Sequence, residues 1–131
     1  MNLLYAAAAS VAMILLYFLF TANVGRMRGK SGLAAPAVTG HSGFERAYRV
    51  QMNTLEHMAV ALPSLWIYAA FGTAVWAVVA AGIWCLGRVV YAFAYCKEPR
   101  SRGPGMVMTM AGEVWLLGGA IWSVAGALLA A

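Results

Sequence analysis

The sequence predicts an all-α, integral membrane four-helix bundle, and three observations predict it. The 131 residues are 63% hydrophobic and only 10% charged, whereas a soluble domain is nearer half apolar and a quarter charged. All nine basic residues fall in two windows, 26–49 and 88–102, separated by long charge-free runs. Those runs suit a hydrocarbon core, which about 20 residues of helix can cross. A chain of this length leaves no room for a second domain, so residues 1–131 read as one transmembrane domain.

The elements follow in order. Leu3–Val24 carries no charge and reads as the first span. A signal peptide has a basic segment before its apolar stretch; here the first basic residue, Arg26, comes after it, so the span is expected to stay. Residues 25–43, rich in Gly, Ser and Pro, form the expected first loop. The second span covers about 44–71, with its first turns polar on one face. Phe71-Gly72-Thr73 is a tight reversal into the third span, about 74–96. The segment 97–105 contains Pro99, Gly103, Pro104 and Gly105, which break helices and favour turns. The fourth span covers about 106–129.

Charge then sets orientation. Loops 25–43 and 97–105 face one side and are basic, so that side is expected to be cytoplasmic, with both termini and the Gly72 turn outside. The inner membrane of a bacterium is the expected location. The formal charge of +5 thereby reads as loop charge rather than a nucleic-acid surface, which would not stay soluble on so apolar a chain. Short connections favour an antiparallel bundle. Ala80, Ala81, Gly112, Gly118, Gly119, Ala125 and Gly126 would let helices approach closely, within a subunit or between subunits. Cys85 and Cys96 are eleven residues apart on one predicted helix, or about 16 Å, too far for a disulfide. No ligand cluster has metal spacing, so no metal is expected.

Charged side chains at membrane depth are costly and are functional candidates by default. Arg49, Asn53, Glu56 and His57 stand at i, i+4, i+7 and i+8, which stacks them on one helical face. Arg88, Tyr91 and Tyr95 stand at i, i+3 and i+7, again one face. Glu113 lies about two turns into the fourth span. The plainer reading is a buried polar network, with Arg88 neutralising Glu56 or Glu113, His57 as a packing residue, and the tyrosines as an interfacial belt. Three charged or amide groups on one face exceed what helix packing needs, which favours a ligand for Arg49, Asn53 and Glu56. Arginine forks match carboxylates and Glu56 could receive an ammonium, so the stripes suit a small zwitterion. The apolar remainder of the groove would admit a lipophilic second substrate from the bilayer. A thiol substrate would need a positive charge near its sulfur, because only the thiolate is nucleophilic; Arg100 and Arg102 are placed to supply it.

The segment Phe44-Glu45-Arg46-Ala47-Tyr48-Arg49-Val50-Gln51-Met52-Asn53-Thr54-Leu55-Glu56-His57 resembles the signature of the MAPEG family, the membrane-associated proteins in eicosanoid and glutathione metabolism. Arg88-x-x-Tyr91-x-x-x-Tyr95 is a second match, and the likeness covers the whole four-span layout. The resemblance implies a homotrimer with glutathione bound at subunit boundaries near the cytoplasmic side. It implies that Arg49, Asn53, Glu56, Tyr91 and Tyr95 hold glutathione from one subunit, with His57 and Arg88 in the same site. Gln51 and Arg28 would serve the neighbouring site. In leukotriene-forming members the thiolate-stabilising arginine lies seven residues after the second tyrosine, which here is Arg102, with Arg100 as the fallback. Two features depart from the family pattern: the proline of the second helix stands at Pro63, about one turn late, and a basic C-terminal extension is absent from this sequence.

The activity so implied is a membrane-bound glutathione transferase that activates the thiolate for attack on lipophilic electrophiles, with glutathione-dependent peroxidase activity as an extension. Glutathione is the co-substrate, and membrane lipid the surroundings. The competing readings are a non-catalytic lipid- or thiol-binding member, a small multidrug exporter, and a purely structural membrane protein. The exporter is disfavoured because Leu3–Val24 lacks an acidic residue. The structural reading leaves the polar stripes without a role.

Overall fold

Helix α1 spans Asn2–Ser31, α2 Ser42–Phe71, α3 Ala74–Lys97 and α4 Gly103–Ala130, with a short 3₁₀ turn, Pro99–Arg102, between α3 and α4. The computed structural model describes residues 2–131. The all-helical expectation holds, and among the described residues there are four long helices and no strand.

The largest difference from expectation is α1, which runs to Ser31, so 25–31 is helix rather than loop. Glycine in a helix interior costs about 1 kcal/mol against alanine. Gly25 and Gly29 alternate, however, with Arg26, Met27, Arg28 and Lys30, all good helix formers. Arg28 and Lys30 lie in the last turn, where cations complement the helix dipole. Arg26 is held along the helix by two bonds to Asn23 Oδ1, from Nε at 3.2 Å and Nη2 at 2.8 Å. The fourth helix likewise starts early, at Gly103, because Pro104 falls in its first turn, where a missing N–H costs no hydrogen bond.

α2 opens with two capping bonds. His41 Nδ1 accepts from the Phe44 amide at 3.2 Å, and Glu45 accepts from the Gly40 amide at 2.7 Å. The first satisfies an orphan donor of the helix's first turn, and the second ties the residue before the cap to the helix. The helix continues through Pro63 to Phe71. The reversal through Gly72 is as short as the sequence suggests, with the Gly72 amide donating to Tyr68 O.

α2 and α3 occupy the middle, with α1 and α4 on their flanks. The α3–α4 contact is the tightest. A β-carbon on Gly112 would sit 2.7 Å from Ala80 O and Trp84 N, and one on Gly87 or Gly105 would strike the backbone of Thr109 or Tyr91. These glycines are therefore fixed by backbone approach. Of the small residues singled out in the sequence, Gly112 and Ala80 serve this contact, Gly119 faces the Tyr68 ring, and Ala81 is buried in the core. Gly118 and Gly126 meet nothing within 4 Å. The main core, with Met13, Ala61, Leu65, Trp84 and Leu116 fully buried, fills the middle of the bundle.

The outside is apolar. Phe18, Phe93, Val107, Trp122 and Leu129 are all widely exposed, and a surface of this kind requires lipid or another subunit. Three helices, α1, α3 and α4, are long and apolar enough to cross a membrane. α2 is equally long, but its first half carries the polar residues. Four buried hydroxyls bond within their own helix: Ser10, Thr54, Thr109 and Ser123 each donate to the carbonyl four residues back, at 2.7–2.8 Å. Such back-bonding suits a helix in lipid.

Candidate functional site

The polar stripes of α2 and α3 meet at the end of the bundle that carries the charged connections. Arg88 is completely buried. Its Nη1 donates to Asn53 Oδ1 at 3.0 Å. Asn53 Nδ2 in turn donates to Glu56 Oε2 at 3.3 Å, and the other carboxylate oxygen of Glu56 pairs with Arg49 Nη1 at 3.5 Å. One polar chain thus runs from a buried guanidinium through a buried amide to an ion pair whose two side chains are about half exposed, at 52% and 53%. Both ends of Asn53 are used, one as acceptor and one as donor, so it cannot flip without losing both bonds.

The Arg88 guanidinium lies 4.2 Å from the centre of the Tyr91 ring, and Tyr91 stacks on Tyr95 with centroids 5.4 Å apart and planes 17° apart. The first of these is a cation–π contact, strengthened by the absence of water. Among the described residues Arg88 Nε and Nη2 have no hydrogen-bond partner. Because Arg88 has no exposed surface and Tyr91 almost none, their influence on a ligand passes through Asn53 and Tyr95. Arg49 and Glu56 are exposed and Tyr95 is half-buried, and these are the groups a ligand would meet.

The arginine network differs from the alternative in which Arg88 neutralises a carboxylate directly. Glu113 pairs instead with His57, at 2.6 Å between Oε2 and Nδ1. That contact joins α2 to α4 and turns His57 away from the Arg49–Glu56 pair into the helix boundary. Arg88 is linked to Glu56 through Asn53.

Arg100 and Arg102 lie in the 3₁₀ turn, both exposed. Among the described residues neither side chain has a hydrogen-bond or ion-pair partner. Gly105, three residues after Arg102 in the chain, packs on the Tyr91 backbone. Arg102 also directly precedes the N-terminus of α4, where a cation is unfavourable beside the positive end of the helix dipole and an anion is favourable.

Arg28 and Gln51 lie on the α1 side. Arg28 Nη1 donates to Leu33 O at 3.3 Å and Ala37 O at 2.9 Å, and its guanidinium sits 4.5 Å from the centre of the Phe44 ring. It therefore anchors the 32–41 loop. Gln51 Nε2 donates to Tyr17 Oη at 3.3 Å and Thr21 Oγ1 at 3.1 Å. The structure brings neither to the Arg49–Glu56 pair.

Arg46 was assigned no role from the sequence. Its Nη1 donates to the carbonyls of Cys96 and Lys97, at 3.1 and 2.9 Å, and so caps the last turn of α3. The orphan carbonyls that every helix end presents were the available signal, but sequence spacing does not show which cation reaches them. Among the described residues no three of His, Cys, Asp or Glu converge as metal ligands.

The MAPEG family model matches residues 6–122, a range that contains every residue of this network. An uncharacterised protein of Synechocystis sp. is 39% identical to the chain over 107 residues, covering 82% of this chain and 78% of its own length. Human microsomal glutathione S-transferase 2 is 28% identical over 109 residues, covering 83% and 74%. Leukotriene C4 synthase of Cavia porcellus is 27% identical over 111 residues, covering 85% and 73%.

Proposed function

The chain belongs to the MAPEG family, and from that premise we propose that it is a membrane-bound glutathione transferase. The observation that carries the reading is the polar chain Arg88–Asn53–Glu56–Arg49, which is buried at one end and open at the other. In this reading Tyr95 and Arg102 complete the site at its open end. Two relatives of the chain are a glutathione transferase and a leukotriene synthase by name, which supports the same chemistry.

In this reading Arg49 takes a glutathione carboxylate in charge-assisted bonds, and Glu56 takes the ammonium. Asn53 and Arg88 hold Glu56 and the tyrosine pair in position from behind. Arg102, with the N-terminus of α4, favours the thiolate over the thiol and so lowers the thiol pKa. The thiolate sulfur then bonds to an electrophilic carbon of a lipophilic substrate while the leaving group departs with its electron pair. With a lipid hydroperoxide the same sulfur attacks oxygen; two glutathiones become the disulfide, and the hydroperoxide becomes an alcohol and water. Arg100 is the second candidate for the thiolate contact.

The proposal extends to assembly. α2 crosses the bilayer with the other three helices, its polar face turned to a subunit boundary in a homotrimer. Arg28 and Gln51 then contribute to the neighbour's site. Arg28 uses only Nη1 for its two loop bonds, so its remaining N–H groups are available to a neighbour. The basic loops and the site face the cytoplasm of a bacterium, across its inner membrane.

The test is conjugation of glutathione to an aryl halide by the protein in liposomes. Arg102→Ala is expected to reduce turnover far more than glutathione affinity. Unchanged turnover in Arg102→Ala with loss in Arg100→Ala moves the role to Arg100. Glutathione binding without turnover in the wild type supports a non-catalytic binding protein instead.

A further inference from the structure

A crevice on the opposite side of the charged end has no part in this reading. It is a cavity of about 360 Å³ between α1, α2 and α3, with Phe20, Val50 and Phe93 in its walls and Asn23, Arg26 and Cys96 among its lining residues. Its volume falls within the ~300–1,000 Å³ common to ligand pockets. It is separate from the glutathione site. Arg26 stands two residues, about 200°, round α1 from Arg28, and Phe93 the same distance round α3 from Tyr91.

We propose that this crevice binds an anionic phospholipid of the bilayer, with the headgroup on Arg26 and an acyl chain along Phe20 and Phe93. Three observations support it. The first is level: Arg26 ends the charge-free run of α1, and Cys96 directly precedes Lys97 at the end of α3. Both lie where apolar helix gives way to charge, the depth of a lipid phosphate. The second is charge. Arg26 is fixed by its two bonds to Asn23 through Nε and Nη2, which leaves Nη1 for a phosphate oxygen. Arg46, bonded to the Cys96 and Lys97 carbonyls, adds a second cation beside the mouth, and no carboxylate lines the cavity. Basic pockets between membrane helices suit anionic headgroups. The third is the wall: Phe93 is 78% exposed, an aromatic ring open to the side from which a chain would enter.

Cys96 is exposed and reports occupancy. The protein is placed in nanodiscs of phosphatidylcholine alone or with phosphatidylglycerol. Cys96 is alkylated with a neutral maleimide, and its rate is read by peptide mass spectrometry separately from Cys85. Arg26→Gln is compared with Lys30→Gln, an equal loss of charge outside the crevice. Phosphatidylglycerol is expected to slow Cys96 alkylation about fivefold or more in the wild type and in Lys30→Gln, the protection that an occupied site gives. It is expected to have little effect in Arg26→Gln, whose wild-type rate in phosphatidylcholine shows an intact fold. Equal slowing in both variants would assign the effect to bulk surface charge and overturn the proposal. So would an absence of slowing. Cys96 unreactive in both bilayers would show the crevice closed whether or not the anionic lipid is present, which also overturns it.

Discussion

At the Gly72 end of the bundle, a β-carbon on Gly72 or Gly119 would strike the Tyr68 ring, and no charged residue occurs between Met58 and Gly87. At the opposite end, Arg46 caps α3, Arg28 anchors a loop, and Arg88, Asn53, Glu56 and Arg49 form one connected polar chain. The first end is held by shape and the second by directed charge. Packing of the first kind places no chemistry, and it fails when volume is added. A network of the second kind tolerates its exposed members being changed, at a cost to whatever it binds. Stability and activity should therefore separate along the bundle axis.

The largest expected effect is on activity alone. Arg102 is exposed, and among the described residues its side chain has no hydrogen-bond or ion-pair partner that a substitution would remove. Arg102→Ala should lower turnover by about 10²-fold, the usual loss when one group stabilising reactive charge is removed. Thermal unfolding in detergent should be unchanged. A matching fall in stability would mean that the charged end is held together by Arg102, against the comparison above.

Asn53→Ala is expected to affect both properties. It leaves Arg88 Nη1 buried without a partner, a loss of about 1–3 kcal/mol, and it releases Glu56. Thermal unfolding and glutathione titration on the same sample check this. Weaker binding with unchanged stability would show that Arg88 finds another partner. Gly119→Ala should have the complementary outcome. Displacing the Tyr68 ring is overpacking, worth about 1–3 kcal/mol of stability, while turnover of the folded fraction stays at the wild-type level. Lost turnover without lost stability would break the separation of the two ends.

Glu56→Gln should be the mildest for stability. The Arg49–Glu56 pair is half exposed at 3.5 Å, and such pairs contribute at most about 1 kcal/mol. Glutathione affinity should nevertheless fall, because the ammonium loses its counter-charge. Isothermal titration in detergent separates the two, and unchanged affinity would remove Glu56 from the site.

The features legible in the sequence are those that depend on one helix at a time. Arg49, Asn53 and Glu56 share a face because of helical spacing alone, and so do Arg88, Tyr91 and Tyr95. The reversal at Gly72 follows from local composition. Contacts between helices were not legible. Periodicity could pair Glu113 with Arg88 as readily as with His57, because the choice depends on how α4 is rotated and shifted against α2. α4 is held against α3 by the approach of Gly87, Gly105 and Gly112 to the facing backbone, and against the Tyr68 ring of α2 by Gly119, and a glycine in the sequence does not announce its partner. The extension of α1 to Ser31 was hidden for a different reason. Two glycines outweighed the helix-forming residues between them in a local reading, while the basic last turn favours the helix end where it lies.

In the proposed function the charged end of this bundle makes a thiol reactive. Ultraviolet absorbance of the thiolate, recorded on mixing the purified protein with glutathione beside an Arg102→Ala control, tests it most directly. A thiolate signal in the wild type that is lost in Arg102→Ala, with glutathione still bound, is the predicted result. Bound glutathione with no thiolate signal in the wild type would contradict it.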